Sequence, residues 1–205
     1  MKQAWSPFST LACGVTLIFL SATHAALAAV DLPLDSKNST LKFVGESFMH
    51  DFEGQAREFS GSAVFNNSAT PPIQEAHLFI KTASLTTHHA GRDKKMDEWL
   101  DIKTHPKAVF DLTQVRLLSS SYAKASAAHP AKFAVTGTFI LNDKPEPLSG
   151  EAEGWREGNT VIVSGNIDVD TLKHGLPQIR ESFMTVGTKV HVQYRLVFTL
   201  PAGLP

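Results

Sequence analysis

The chain of 205 residues predicts an all-β fold: an eight-stranded antiparallel up-and-down barrel with one short helix over a barrel end. Three observations carry that expectation. Period-two alternation of apolar and polar residues runs through most of the chain after residue 28. The links between alternating runs are short and rich in turn formers. A single segment near the middle breaks the alternation with helical spacing.

Residues 1–28 read as a secretory signal, and residues 29–205 as one folded domain. Lys2 is the only charge before Asp31, residues 11–20 are an apolar run, and Ala26-Leu27-Ala28 supplies a small-residue cleavage pattern. Cys13, the only cysteine, leaves with that segment, so the domain folds without disulfides. Removal takes Lys2 from the 19 basic residues and nothing from the 20 acidic ones. The near-neutral balance gives no electrostatic reason to bind nucleic acid. No later apolar run is long enough to cross a bilayer as a helix, so the expected product is soluble, in the periplasm or secreted.

The clearest strand is "KVHVQYRLVFTL", with Val190, Val192, Tyr194, Leu196 and Phe198 on one face. "KFAVTGTFIL" alternates Phe133, Val135, Phe139 and Leu141 in the same way, and "TVIVSGNIDVD" alternates Val161, Val163, Ile167 and Val169. Weaker runs at 40–48, 57–66, 73–83, 107–118 and 148–155 bring the expected count to eight. The links "NNSATPP", "NDKPEP" and "EGN" are turns, and short links between successive strands imply antiparallel neighbours. No helical spacer recurs between strands, which argues against a parallel α/β sheet. Closure of such a sheet removes its exposed edges, and local links favour a meander over a Greek key.

The apolar faces mix large residues with glycines in phase, such as Gly45 with Phe43, Gly137 with Phe139, and Gly165 with Val163. Strand glycines let barrel strands bend, and they also leave room inside a barrel for a ligand. Both readings stand at this point. No charge falls in phase on the three cleanest apolar faces, so a ligand would be mostly hydrocarbon. Each buried methylene contributes ~0.8 kcal/mol, so ten contribute ~8 kcal/mol against an association cost of at least ~4 kcal/mol. Chain length favours a lipid over a small metabolite.

The helix-patterned segment is "TTHHAGRDKKMDEWLDIKTHP", residues 86–106. Met96, Trp99 and Leu100 share one helical face, Thr86 or Thr87 can cap the start, and Pro106 ends it. Its apolar face needs a surface to cover, and the barrel mouth is the surface available. Adjacent His88 and His89 diverge in any regular structure, and no HExxH spacing is present, so the segment carries no metal signature. No GxSxG is present either.

"LTTHHAGRDKKMDEWLDIKTHPKAVFDLTQV" resembles the Leu-x-Thr, Arg-Asp-x-x-Met/Leu and Pro-x-x-x-Phe signature of the YceI-like family. "STLKFVGESFMHDFEGQAREFSGSAVF" is similar to that family's first hairpin, and "VGTKVHVQYRLVFT" to its closing strand. The resemblance implies a lipocalin-like barrel whose elongated apolar tunnel binds polyisoprenoids, quinones or related amphiphiles. It also implies a periplasmic location, and a homodimer in some members. It places Thr86, Arg92, Asp93 and Met96 near the tunnel mouth and His50 in the first hairpin. Arg92 and Asp93 read either as an ion pair pinning the helix or as ligand contacts. The sequence departs from the family at Asn142-Asp143-Lys144-Pro145, where many members carry a His-Gly turn.

The expected function is that of a carrier with no bond chemistry and no cofactor beyond its lipid, touching membranes only transiently. The expected ligand-binding residues are Phe43, Phe59, Phe65, Phe110, Val135, Phe139, Val163, Ile167, Val192 and Tyr194 on the wall. Met96 and Trp99 belong to the cover, with His50 and Arg92 near the mouth. The enzyme alternative is a small lipid hydrolase or isomerase using His50, His89 and Asp93.

Overall fold

The computed structural model describes residues 29–202 except 48–49, 67–68, 120 and 182–183. The expected signal at 1–28 lies outside the described residues. The strands are β1 (Val30–Pro33), β2 (Thr40–Ser47), β3 (Phe52–Ala56), β4 (Phe59–Phe65), β5 (Ile73–Lys81) and β6 (Leu85–Thr86). They continue as β7 (Lys107–Leu117), β8 (Ala131–Leu141), β9 (Lys144–Glu157), β10 (Thr160–Asp170), β11 (Arg180–Glu181) and β12 (Met184–Thr199). The helix α1 (Ala90–Trp99) separates β6 from β7.

Twelve strand segments replace the eight the pattern predicts, and the reason is bending. Strands β1 and β2 run as one bent strand along the β3–β4 pair, with Val30 opposite Phe65 and Gly45 opposite Phe52. β3 passes into β4 over Arg57 and Glu58, and β5 passes into β6 through a 3₁₀ turn at Thr82–Ser84. Backbone bonds Arg57 N to Ser84 O and Lys81 N to Glu58 O, both 3.1 Å, keep that ladder continuous across both bends. The runs expected at 40–48, 57–66 and 73–83 cover β2, β4 and β5, and β1, β3 and β6 are short continuations of those strands around the bends, outside any run. β11 is the further addition, pairing only with β12.

The ladder runs antiparallel through β4, β5, β7, β8, β9, β10, β12, β2 and β3. The two ends of that path, β3 and β4, belong to one bent strand, and Leu34 adds a bridge to Phe198. The result is a curled meander with an inside and an outside. At one end Leu32, Ala63, Phe65, Val161, Phe198 and Leu200 form a tightly packed cluster, each no more than 4% exposed. Burying its leucine, valine and phenylalanine side chains contributes ~1.5–3 kcal/mol each, and the cluster plugs that end. α1 covers the opposite end.

Candidate functional site

Between the plug and α1 lies an internal cavity of about 250 Å³, lined almost wholly by apolar side chains. Phe43 from β2, Phe110 from β7, and Val135 and Phe139 from β8 reach it. So do Val163 and Ile167 from β10, and Val192 and Tyr194 from β12. Met96 and Trp99 close it from the helix, with Leu100 beside them. A larger depression of about 590 Å³ lies on the outer face, but Lys42, Lys132, Glu151, Glu153 and Arg195 line it, which suits no hydrocarbon.

Four expected site residues lie elsewhere. Phe65 is on the inward face but belongs to the plug, at 2% exposure. Phe59 packs around Ala56, Ile80 and Ala108 rather than against the cavity. His50 is exposed on the link between β2 and β3, where its backbone N–H donates to Ser47 Oγ at 3.2 Å. Arg92 lies with its guanidinium 5.0 Å from the centre of the Phe52 ring and donates to Thr87 Oγ1 at 2.9 Å. Conversely Leu78, Leu112 and Leu148 line the cavity without having been singled out as ligand contacts. The alternation in their own strands was the signal available for them.

The wall glycines answer the question their phase raised. A Cβ on Gly54 would fall inside the ring of Phe43, its cross-strand partner. A Cβ on Gly137 would do the same to Phe110. Tyr194 lies over its partner Gly165 in the same manner. Each glycine therefore lets an aromatic ring lie flat against the wall, and the space gained is at the centre of the lumen.

The cover is fastened by specific polar contacts. His89, rather than Thr86 or Thr87, caps α1, with its Nδ1 accepting from Arg92 N at 3.2 Å. Thr87 donates to Asp93 Oδ1 from its backbone N–H (2.7 Å) and its hydroxyl (2.6 Å), and Thr86 Oγ1 donates to Asp93 Oδ2 at 2.7 Å. Arg92 and Asp93 thus each bind the β6 side of the cover instead of pairing with one another. Burial pushes the Asp93 carboxyl up, but the bonds from Thr87 and Thr86 and the charge of Arg57 outweigh it and hold the group below the ordinary aspartate range.

At the other end of α1, Trp99 Nε1 donates to Pro177 O at 2.8 Å, tying the helix to the loop between β10 and β11. That loop is held by Asn142 Nδ2 donating to His174 O (3.0 Å) and by His174 Nδ1 donating to Lys144 O (2.9 Å). His105 donates to Asp143 at 2.8 Å. The Asn142-Asp143 turn, where the chain departs from the family pattern, adopts positive φ at both residues, as a tight hairpin requires. Its side chains serve the cover. Among the described residues no group of three or more His, Cys, Asp or Glu is placed to hold a metal. Among the described residues no side-chain hydrogen bond links His50, His89 and Asp93; His89 and Asp93 share only the backbone bond from Asp93 N to His89 O, 2.9 Å.

Comparison with known proteins agrees with this architecture. The YceI-like domain model matches residues 33–198. A UPF0312 protein of Pseudomonas putida (strain GB-1) is 29% identical over 83% of this chain and 97% of its own length. A UPF0312 protein of Yersinia enterocolitica is 26% identical over 74% of this chain and 76% of its own. Among solved structures, Burkholderia cenocepacia BcnA superposes with a TM-score of 0.65 at 20% identity, covering 80% of this chain and 98% of its own. A polyisoprenoid binding domain from Saccharophagus degradans superposes with a TM-score of 0.64 at 17% identity, covering 83% and 98%. The bent eight-run meander, the plug and the family match over nearly the whole described domain identify this chain as a member of the YceI-like family.

Proposed function

We propose that the protein is a periplasmic or secreted carrier that holds one long-chain isoprenoid-type lipid, such as a polyprenyl chain, a quinone or a similar amphiphile, in its lumen. The observation that carries this reading is the apolar internal cavity closed by a helix whose own residues are nowhere fully buried. A cover with so little buried surface opens at low cost, whereas the plugged end does not. Ligand entry is therefore assigned to the α1 end, and any transient membrane contact belongs there. The fold shared with a polyisoprenoid binding domain supports the ligand class. The reading assigns no bond chemistry to the lumen, whose lining is almost wholly apolar.

The test is transfer. Delipidated protein is mixed with vesicles containing a fluorescent polyprenyl lipid, separated by flotation, and assayed for bound probe. One probe per chain in the protein fraction supports the proposal; probe remaining wholly with the vesicles refutes it.

A further inference from the structure

The lumen wall carries five residues with polar side chains, and three of them are bonded elsewhere. Trp99 Nε1 is bonded to Pro177 O, and Thr171 Oγ1 to Thr188 O. The His77 ring is bonded to Asp111, and Lys42 lies out of phase with Phe43 on β2 and lines the outer depression, which Tyr194 also borders. Tyr194 is different. Its hydroxyl has no hydrogen-bond partner among the described residues, and it is not one of the sealed orphans, which are Tyr122 Oη and Trp155 Nε1. A Cβ on Gly165 would meet Tyr194 Oη at 2.5 Å, which places the hydroxyl on the inward side of the wall. Tyrosine hydroxyls in apolar surroundings normally find a partner, and leaving one unmade costs free energy.

Resting on the carrier reading above, we propose that Tyr194 determines ligand specificity by donating a hydrogen bond to a carbonyl-type oxygen on the hydrocarbon chain. The depth of that oxygen follows from the strand. Leu196, two residues on and therefore ~6–7 Å away along β12, packs against the plug. The acceptor thus sits near the end of the chain that enters first, and the preferred cargo is an oxygenated lipid rather than a plain hydrocarbon. A site with a free donor discriminates against analogues that cannot satisfy it.

The experiment uses a saturated alkane and the positional isomers of its ketone, presented to wild type and Tyr194→Phe protein from a common cyclodextrin stock. The isomers share one desolvation cost, so differences among them report register with the hydroxyl alone. The inference predicts one isomer binding roughly tenfold tighter than the rest in wild type, with a flat series in the variant. In wild type the infrared carbonyl band of that bound isomer should also lie lower than those of its siblings, a readout that needs no variant. Flat affinities in wild type, with alkane and ketones all bound, would overturn the role of Tyr194 while leaving the carrier reading intact. Failure of every probe to bind would remove the carrier reading and this inference with it.

Discussion

Gly54→Ala is the most informative single change, because it acts on the lumen without replacing a lining side chain. The three atoms nearest a Cβ at that position all belong to the Phe43 ring, and no backbone atom is among them. The strand can therefore keep its place while the ring is driven off the wall into a cavity of about 250 Å³. Overpacking of this kind costs ~1–3 kcal/mol in stability. If the displaced ring takes the room of about three methylenes, the ligand loses ~2.4 kcal/mol, or roughly fifty-fold in affinity. Adding Phe43→Ala to Gly54→Ala removes the obstruction, so the double variant should recover binding that Gly54→Ala alone loses. Affinity for a fluorescent long-chain probe, with thermal unfolding alongside, reads both quantities. Gly54→Ala protein with unchanged affinity and unchanged stability would refute the flat-ring account of the wall.

Other predictions concern the cover and the shell. Trp99→Phe removes the bond to Pro177 O, so probe release should quicken by roughly fivefold, equivalent to ~1 kcal/mol, in a stopped-flow chase. Asp93 has a lowered pKa, so its stabilisation is present above the ordinary aspartate range and is lost as pH falls through the lower folded value. Hydrogen exchange in α1 should accordingly rise only in strong acid, whereas Asp93→Asn should raise it at neutral pH. His191 on the outer face bridges Asp168 (2.5 Å) and Glu46 (3.0 Å), and those two carboxylates raise its pKa. Its contribution is full below about pH 6.5, the unfolded value, and fades as pH rises through the higher folded one. The melting temperature of His191→Gln should therefore differ most from wild type on the acidic side. Leu32→Ala opens the plug and should cost ~2–5 kcal/mol by denaturant titration, without altering probe release through the α1 end.

Particular residues show how far the sequence reaches. In β10 and β12 the alternation assigns Val163, Ile167, Val192 and Tyr194 to the inside, and the cavity receives all four. Phe65 obeys the same alternation yet ends in the plug, because period two specifies a face and says nothing of depth along the barrel. Depth depends on closure and stagger, which are properties of the whole sheet. The helical spacing of Met96 and Trp99 locates the cover, but its cap is His89, a residue type outside the usual capping preference. The phase of the glycines was legible and their role was not, since only cross-strand register reveals which aromatic ring each one faces. Arg92 and Asp93, adjacent in sequence, do not pair with one another but meet at Thr87 Oγ1, which accepts from Arg92 and donates to Asp93, an outcome that spacing alone leaves open.

Mild purification followed by organic extraction and mass spectrometry tests the central claim most directly. A hollow apolar lumen predicts long-chain lipid recovered near one molecule per chain from wild type and strongly depleted from Gly54→Ala. Repeated extractions that find wild type and Gly54→Ala equally empty, although both are folded, would show that the interior is packed protein and would contradict the account.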